Sequence, residues 1–210
     1  MAQPLSTLEY LRGAGLSSDV PISLSQTLNL ATGSRLRAAI ERLRTTSVFE
    51  FRAKLPPGAV VLAVGVDELQ QAVLERMAGS QEPRDIMVWS RDGAEMLVHV
   101  PCALQLTGGY LLAHFHVETV ETGPIELKLV FFLGNVDAGA GKAASVTHST
   151  DAPDAIIDAW GDTLRAAVWE GVLDIIEGAA VLASQAAGDV PLRVLGFIGG
   201  ENRILIAVGA

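Results

Sequence analysis

The sequence predicts an α+β protein, in which an antiparallel sheet of about eight strands is covered by a long C-terminal helical segment and by short N-terminal helices. Three observations indicate this class. Residues 85–133 follow β-strand periodicity with one short interruption. Glycine-containing turns separate the strand patterns, and tight turns join neighbouring strands only in antiparallel order. Apolar residues recur with helical spacing before and after this region.

The N-terminal segment, residues 1–46, is predicted to be helical and to pack on an α+β body of residues 47–210, so that the chain forms a single domain. Ser34 is suited to cap a helix over residues 35–44, which carries one apolar stripe and four arginines. A basic amphipathic helix can bind phosphate or an acidic partner. The alternative, which we favour, is that it packs on the acidic body of its own or of a second subunit.

The first α+β unit is predicted to be strand, strand, helix. Residues 49–55 alternate apolar and polar side chains, which predicts a strand with one wet face. A proline–glycine turn leads to a second strand over residues 59–64. Asp67 and Gln70 form a capping-box pattern for a helix that ends near Gly79.

Two hairpins are predicted after this helix. Strands at about residues 85–90 and 95–100 are joined across an Arg-Asp-Gly sequence at residues 91–93, which is typical of a tight turn. Longer strands follow at about residues 110–120 and 125–133, with a glycine-containing turn between them.

A long helical stretch begins after Pro153, where apolar residues recur at intervals of three or four. Its polar face almost vanishes from Ile175 onward, so we expect other elements to cover the helix on most sides. Gly161, Gly171 and Gly178 each cost about 1 kcal/mol relative to alanine inside a helix. They therefore predict kinks, a split helix or a close approach to the sheet.

The chain ends in a predicted hairpin of residues 192–198 and 203–208, joined by a glycine pair. Residues 48–100 and 110–208 then show the same order of strand, strand, helix and hairpin. This order is compatible with two repeats, although the hydrophobic alternation common to many strands produces similar patterns without any duplication.

Composition restricts the class of protein. Half of the residues are apolar and the mean hydropathy is +0.36, yet no stretch predicts a membrane span. The closest candidate, residues 96–117, lacks charged residues but is interrupted by Pro101, Gly108 and Gly109, so we interpret it as sheet core. No secretion signal is recognisable at the start, and we expect a cytoplasmic protein. Cys102 is the single cysteine, which excludes an intramolecular disulfide and favours a buried apolar role.

The net charge of −9 is unevenly distributed. Residues 1–54 contain seven basic and four acidic side chains, whereas residues 55–210 contain eight basic and twenty acidic ones. Because the acidic body repels phosphates, binding to nucleic acid is not expected.

Potential metal ligands occur on one predicted strand. His114, His116 and Glu118 alternate along it and therefore project from the same face, and His99 lies on a strand that can be adjacent. Imidazole and carboxylate groups bind zinc, iron or manganese. The alternative is a solvent-facing row of an antiparallel strand, which carries the same residue types without any metal.

Trp160 and Trp169 lie nine residues apart on the long helix, about 180° around it. Helical spacing thus predicts that they face different layers, with one in the core and the other at an interface or in the wall of a ligand pocket.

Strands with two apolar faces need cover on both sides, and the short N-terminal helices can supply part of one cover only. We therefore expect an exposed apolar patch and a homo-oligomer, in the simplest case a two-fold dimer. Two functions follow from the sequence. The first is a non-enzymatic, self-associating acidic binding protein that holds a partner protein or an apolar small molecule between sheet and helix. The alternative is a metal-dependent enzyme at His114, His116 and Glu118. The sequence does not indicate which cofactor, if any, the protein binds.

Overall fold

The chain is an α+β protein built from antiparallel sheets, a long C-terminal helix and a second helix. This confirms the predicted class. A computed structural model describes residues 5–6, 38, 47–48, 57–79, 85–107, 109–133, 145–148 and 153–210. The predicted strand over residues 49–55 lies outside the described residues. So does the predicted helix over residues 35–44, except for residue 38.

The described helices and strands follow one another in this order: β1 (Leu5–Ser6), β2 (Ser47–Val48), β3 (Val60–Gly65), α1 (Val66–Ala78), β4 (Ile86–Arg91), β5 (Ala94–Thr107), β6 (Tyr110–Thr119), β7 (Gly123–Phe132), β8 (Ser145–His148), α2 (Asp154–Ile156), a π-helical segment (Ile157–Gly161), α3 (Asp162–Ala186), β9 (Arg193–Gly199) and β10 (Arg203–Gly209).

The larger sheet is an antiparallel meander of β4, β5, β6 and β7, and the short β8 pairs with the outer edge of β7. The turn between β4 and β5 consists of Asp92 and Gly93, which both have positive φ, as a two-residue hairpin loop of this type requires. Strand β5 continues past Pro101 as far as Thr107. The apolar stretch is therefore divided between Thr107 and Tyr110 and not at the proline.

The smaller sheet has the order β3, β10, β9 and is also antiparallel. The strands that the sequence predicted as one antiparallel sheet are therefore divided between separate sheets. Strand β3 pairs with β10 although about 140 residues separate them, because hydrogen bonding depends on proximity in space and not on proximity in the sequence. Local periodicity identifies a strand but does not identify its partner.

The two sheets meet where the turn of the β9–β10 hairpin contacts the ends of β5, β6 and β7. The Gly199 amide donates to the Leu133 carbonyl at 3.2 Å, and the Asn202 amide donates to the Leu106 carbonyl at 3.2 Å. A Cβ atom on Gly199 would lie 2.9 Å from the Cα atom of Gly109. A larger residue at Gly199 would push the sheets apart.

Helix α1 begins directly after β3. Its N-cap is Gly65, and no side chain caps its first turn. The capping box predicted for Asp67 and Gln70 is therefore wrong. Gln70 instead accepts a hydrogen bond from the Leu104 amide at 3.4 Å, which ties the helix to β5.

The C-terminal helical stretch is divided as its glycines predicted. The π-helical segment ends at Gly161, and α3 continues from there for 25 residues. Residues 164–173 are buried on every side of α3, which confirms that other elements surround this part of the helix. At Gly171 the close neighbour is α1 and not a sheet, since a Cβ atom there would lie 2.8 Å from the Cα atom of Val73.

The buried apolar residues form one main cluster between the helices and the sheets, and a small second cluster on the other face of β10. In the second cluster Leu195 and Ala207 pack against Ala59. Ile204, Ile206 and Val208 of the same strand are fully buried in the main cluster. Both faces of β10 thus have cover within one chain, and this strand does not by itself require a partner subunit.

Leu5 and Ser6 pair with Ser47–Val48 as short antiparallel strands, so these two residues depart from the helical N-terminal segment that was predicted. A two-residue ladder needs only backbone hydrogen bonds, and helical spacing of side chains does not exclude it. Among the described residues, no helix combines the length and the apolar character that crossing a membrane requires. The division of the chain into two repeats stays a prediction.

Candidate functional site

An apolar groove lies between β3 and the C-terminal half of α3, with a cavity volume of about 510 Å³. Strand β3 contributes one wall and the helix contributes the other. The apolar lining residues are Leu62, Ala63, Val64, Ile175, Ala179, Leu182, Ala183 and Ala186. We call this cavity the β3–α3 groove.

The groove exists because the two halves of α3 are covered to different extents. Residues 164–173 are enclosed, whereas Leu182 in the later half is 66 % exposed. At the start of β3, Val60 and Val61 are also exposed, although neither lines the groove. The apolar face that the sequence predicts for α3 therefore continues beyond the part that the chain covers.

Gly178 forms part of the floor of the groove. A Cβ atom built on Gly178 meets no heavy atom within 4 Å, in contrast to Gly171, where Val73 occupies the space. The close approach of α1 thus explains why residue 171 is a glycine, whereas open space lies above Gly178.

Two carboxylates, Glu68 of α1 and Asp174 of α3, also line the groove. Asp174 accepts hydrogen bonds from Arg76, one of them from Nη2 to Oδ1 at 2.7 Å. Glu68 lies over the N-terminus of α1, since its Oε2 atom is 2.8 Å from the position that a Cβ atom on Gly65 would take. The groove therefore combines an apolar lining with two carboxylates.

The row of potential metal ligands lies on the outer face of the large sheet. His114, His116 and Glu118 project from one face of β6, while Phe115 and Val117 project into the core. The alternation on β6 predicted this arrangement correctly.

Neighbouring strands divide the row into separate pairs. His99 on β5 lies opposite His116, and its Nε2 atom is 3.7 Å from Oε2 of Glu118. His114 forms a hydrogen bond through Nδ1 to Oε1 of Glu126 on β7 at 3.0 Å. A shallow depression of about 430 Å³ lies beside His99, His116 and Glu126.

Within the described part of the chain, no three His, Cys, Asp or Glu side chains are grouped so that they could hold a metal ion. Metal binding at His99, His114, His116 and Glu118 therefore stays a prediction. Sequence reasoning did not include Glu126, because its position beside His114 depends on the register between β6 and β7.

The hydrogen bond from His114 holds the pKa of Glu126 below its usual range, and Coulombic interactions with His114, His116 and Lys128 lower it further. The Glu126 side chain is exposed, and the partial loss of hydration of its carboxylate opposes this lowering of the pKa. These contacts show a polar outer face of cross-strand pairs, as expected for the wet side of an antiparallel sheet.

Both tryptophans proposed as pocket residues are buried in the core. Trp160 is 4 % exposed and packs against Trp89 of β4, with ring centroids 6.4 Å apart. Trp169 is 1 % exposed and meets Phe131 of β7 edge to face, with centroids 5.6 Å apart. Neither tryptophan lines the β3–α3 groove, and a ligand-binding role for them stays a prediction.

The prediction that the two tryptophans face different layers is wrong, because both contact strands of the large sheet. Trp160 lies in the π-helical segment, where each turn contains more residues than in an α-helix. Most of the interval between the two tryptophans is regular α-helix, and residues 164–173 are buried on every side, so angular position alone did not determine which element each tryptophan contacts.

Comparison of the chain with models of protein families, with curated proteins and with solved structures gave no match. The residues of the β3–α3 groove and of the outer sheet face are thus the basis for a functional proposal. Of these two places, the groove encloses more space and has the more apolar lining.

Proposed function

We propose that the protein is a non-enzymatic binding protein that holds an apolar small molecule in the β3–α3 groove. The observation that carries the proposal is an apolar cavity of about 510 Å³ between sheet and helix. Small-molecule pockets in proteins have volumes of about 300–1,000 Å³ and are lined mainly by apolar side chains, with few polar groups. The groove agrees with both criteria.

The open space above Gly178 supports an occupant that approaches the helix backbone. Glycine in a helix interior costs about 1 kcal/mol relative to alanine, and no contact in the described chain requires its small size at this position. A bound molecule that fills the space above Gly178 would supply such a requirement. The exposed side of Leu182 would also lose contact with water on binding.

Diphenylhexatriene, an uncharged rod-shaped probe that fluoresces strongly only in apolar surroundings, tests this proposal. Titration into the full-length protein is expected to give a saturable increase in fluorescence. Gly178→Leu is expected to abolish most of this increase, because its side chain fills the groove without meeting any neighbouring atom at Cβ. Circular dichroism verifies that the variant is folded.

Val181→Leu is the matched control, since Val181 is an exposed apolar residue on the same helix outside the groove lining. This variant is expected to bind the probe as the unchanged protein does. Equal binding by Gly178→Leu, or no saturable binding at all, would contradict the proposal of a small-molecule groove.

The sequence also suggested a partner protein as the occupant of the space between sheet and helix. As an alternative function it suggested a metal-dependent enzyme. The metal hypothesis depends on the row of His114, His116 and Glu118 on β6, with His99 on the adjacent strand β5. Metal analysis of the purified protein tests it directly. Stoichiometric zinc, iron or manganese that is lost in His116→Ala would replace the binding-protein proposal with the metal-dependent enzyme.

A further inference from the structure

We propose that the β3–α3 groove prefers a cationic amphiphile, with its apolar body along α3 and its positive group beside Glu68. This inference rests on the proposed function, because it assigns a ligand class to the same groove. It adds a preference for charge, which an apolar cavity alone does not have.

The charges of the lining residues support this preference. The groove is lined by two carboxylates, Glu68 and Asp174, and by no lysine, arginine or histidine among the described residues. Arg76 lies outside the lining and pairs with Asp174, which offsets one of the two negative charges. Glu68 therefore gives the groove a negative potential, which attracts cations and repels anions.

The position of Glu68 relative to the apolar surface determines the shape of the ligand. Glu68 follows directly after the β3 part of the lining in the chain, and along α3 the carboxylate of Asp174 comes first, before the apolar side chains of Ile175 and Leu182. A ligand with its charge at one end and its apolar body at the other matches this order. A ligand with a charge in the middle would place it against apolar side chains and lose hydration without a partner.

Three probes that share one apolar body test the charge preference: diphenylhexatriene, its trimethylammonium derivative and its propionate derivative. The trimethylammonium probe is expected to bind the full-length protein up to about fivefold more tightly than the uncharged parent, since exposed ion pairs contribute about 1 kcal/mol at most. The propionate probe is expected to bind more weakly than the parent. Both differences are expected to shrink at about 1 M salt, where charges are screened within about 3 Å.

Glu68→Gln removes the negative charge and retains the size of the side chain. This variant is expected to bind the trimethylammonium probe and the parent with equal affinity, while its affinity for the parent stays unchanged. Glu75→Gln on the same helix is the control, because Glu75 is exposed and does not line the groove. The charge preference is expected to persist in Glu75→Gln.

The outcomes separate this inference from the proposed function. Equal binding of all three probes, lost in Gly178→Leu, would overturn the cation preference and leave the apolar groove intact. Tighter binding of the trimethylammonium probe that persists in Glu68→Gln would also overturn it, because the preference would then come from the net charge of the protein. Failure of every probe would contradict both proposals.

Discussion

At the scale of single residues, a neighbouring strand decides the chemistry of an exposed side chain. Glu126 has a lowered pKa because His114, two positions from its direct partner His116 on β6, forms a hydrogen bond with it. Cys102 shows the opposite effect, since burial raises the pKa of its thiol to about 11. The thiol therefore stays protonated at neutral pH, and Cys102 acts as a small apolar core residue, as predicted.

The lowered pKa of Glu126 makes a small part of the stability depend on pH. A carboxyl group with a depressed pKa in the folded state stabilises that state above the pKa of the unfolded chain, and this contribution is lost as the pH falls through the folded-state pKa. We expect a carboxyl NMR titration to place the pKa of Glu126 below that of an unperturbed glutamate. His114→Ala is expected to raise it, because the hydrogen bond from His114 is its main cause.

His99→Ala is a suitable control for this titration. His99 lies close to Glu118 and does not contribute to the shift of Glu126. A pKa of Glu126 that is unchanged by His114→Ala, or lowered equally in both variants, would show that the hydrogen bond does not determine it.

At the scale of elements, the long helix α3 has two halves with different surroundings. Its first half lies in the core and crosses α1 at Gly171, where only glycine leaves space for Val73. Its second half borders the β3–α3 groove, where Gly178 faces open space. Glycine therefore allows close helix packing in the first half of α3 and leaves open space beside the groove in the second half.

The two glycines are expected to respond to alanine in opposite directions. Gly178→Ala should increase the free energy of unfolding by up to about 1 kcal/mol, because alanine favours the helix and meets no neighbour. Gly171→Ala should decrease it by about 1–3 kcal/mol, since the added methyl group overlaps the backbone of Val73. Urea denaturation of both variants measures these changes. Stabilisation by both substitutions would contradict the helix crossing described here.

At the scale of the whole molecule, each hairpin pairs with a strand outside its own half of the chain. The β4–β5 hairpin joins β6, and the β9–β10 hairpin joins β3. Each half therefore contributes strands to both sheets, and the single domain expected from the sequence stays a prediction. If the repeat proposed from the sequence is real, the halves exchange hairpins.

Self-association also belongs to this scale and stays a prediction. The cover of β10 within one chain removes one reason for a dimer, but β4 offers another. It is an edge strand of the large sheet, and Ile86 and Val88 on its outer face are 45 % and 44 % exposed. Two edge strands can pair around a two-fold axis and extend both sheets.

Light scattering at micromolar concentration is expected to show a dimer of the unchanged protein. Val88→Lys should shift it toward the monomer, because a charged residue on an edge strand opposes pairing with a second chain. Val120→Lys is the control, since Val120 is a fully exposed valine in the turn after β6. A monomer of the unchanged protein would contradict the prediction of a dimer, and a dimer in Val88→Lys would place the interface elsewhere.

The sequence alone determined most of the elements. Three features were predicted because each depends on residues that are close together in the sequence. They are the alternation on β6 and β7, the Asp92–Gly93 turn and the helical stretch after Pro153. The shared face of His114, His116 and Glu118 was predicted for the same reason. A cavity between sheet and helix was expected, but the residues that line it were not identified.

Only the tertiary structure decided which distant elements meet. Four features depend on contacts between different elements of the structure. They are the pairing of β3 with β10, the crossing of α1 and α3 at Gly171, the contact of His114 with Glu126 and the burial of both tryptophans. The groove depends on the same kind of information, since β3 and α3 are separated by the whole large sheet in the sequence. Periodicity reports which side of an element is apolar, whereas packing in three dimensions decides what covers that side and where it stays open.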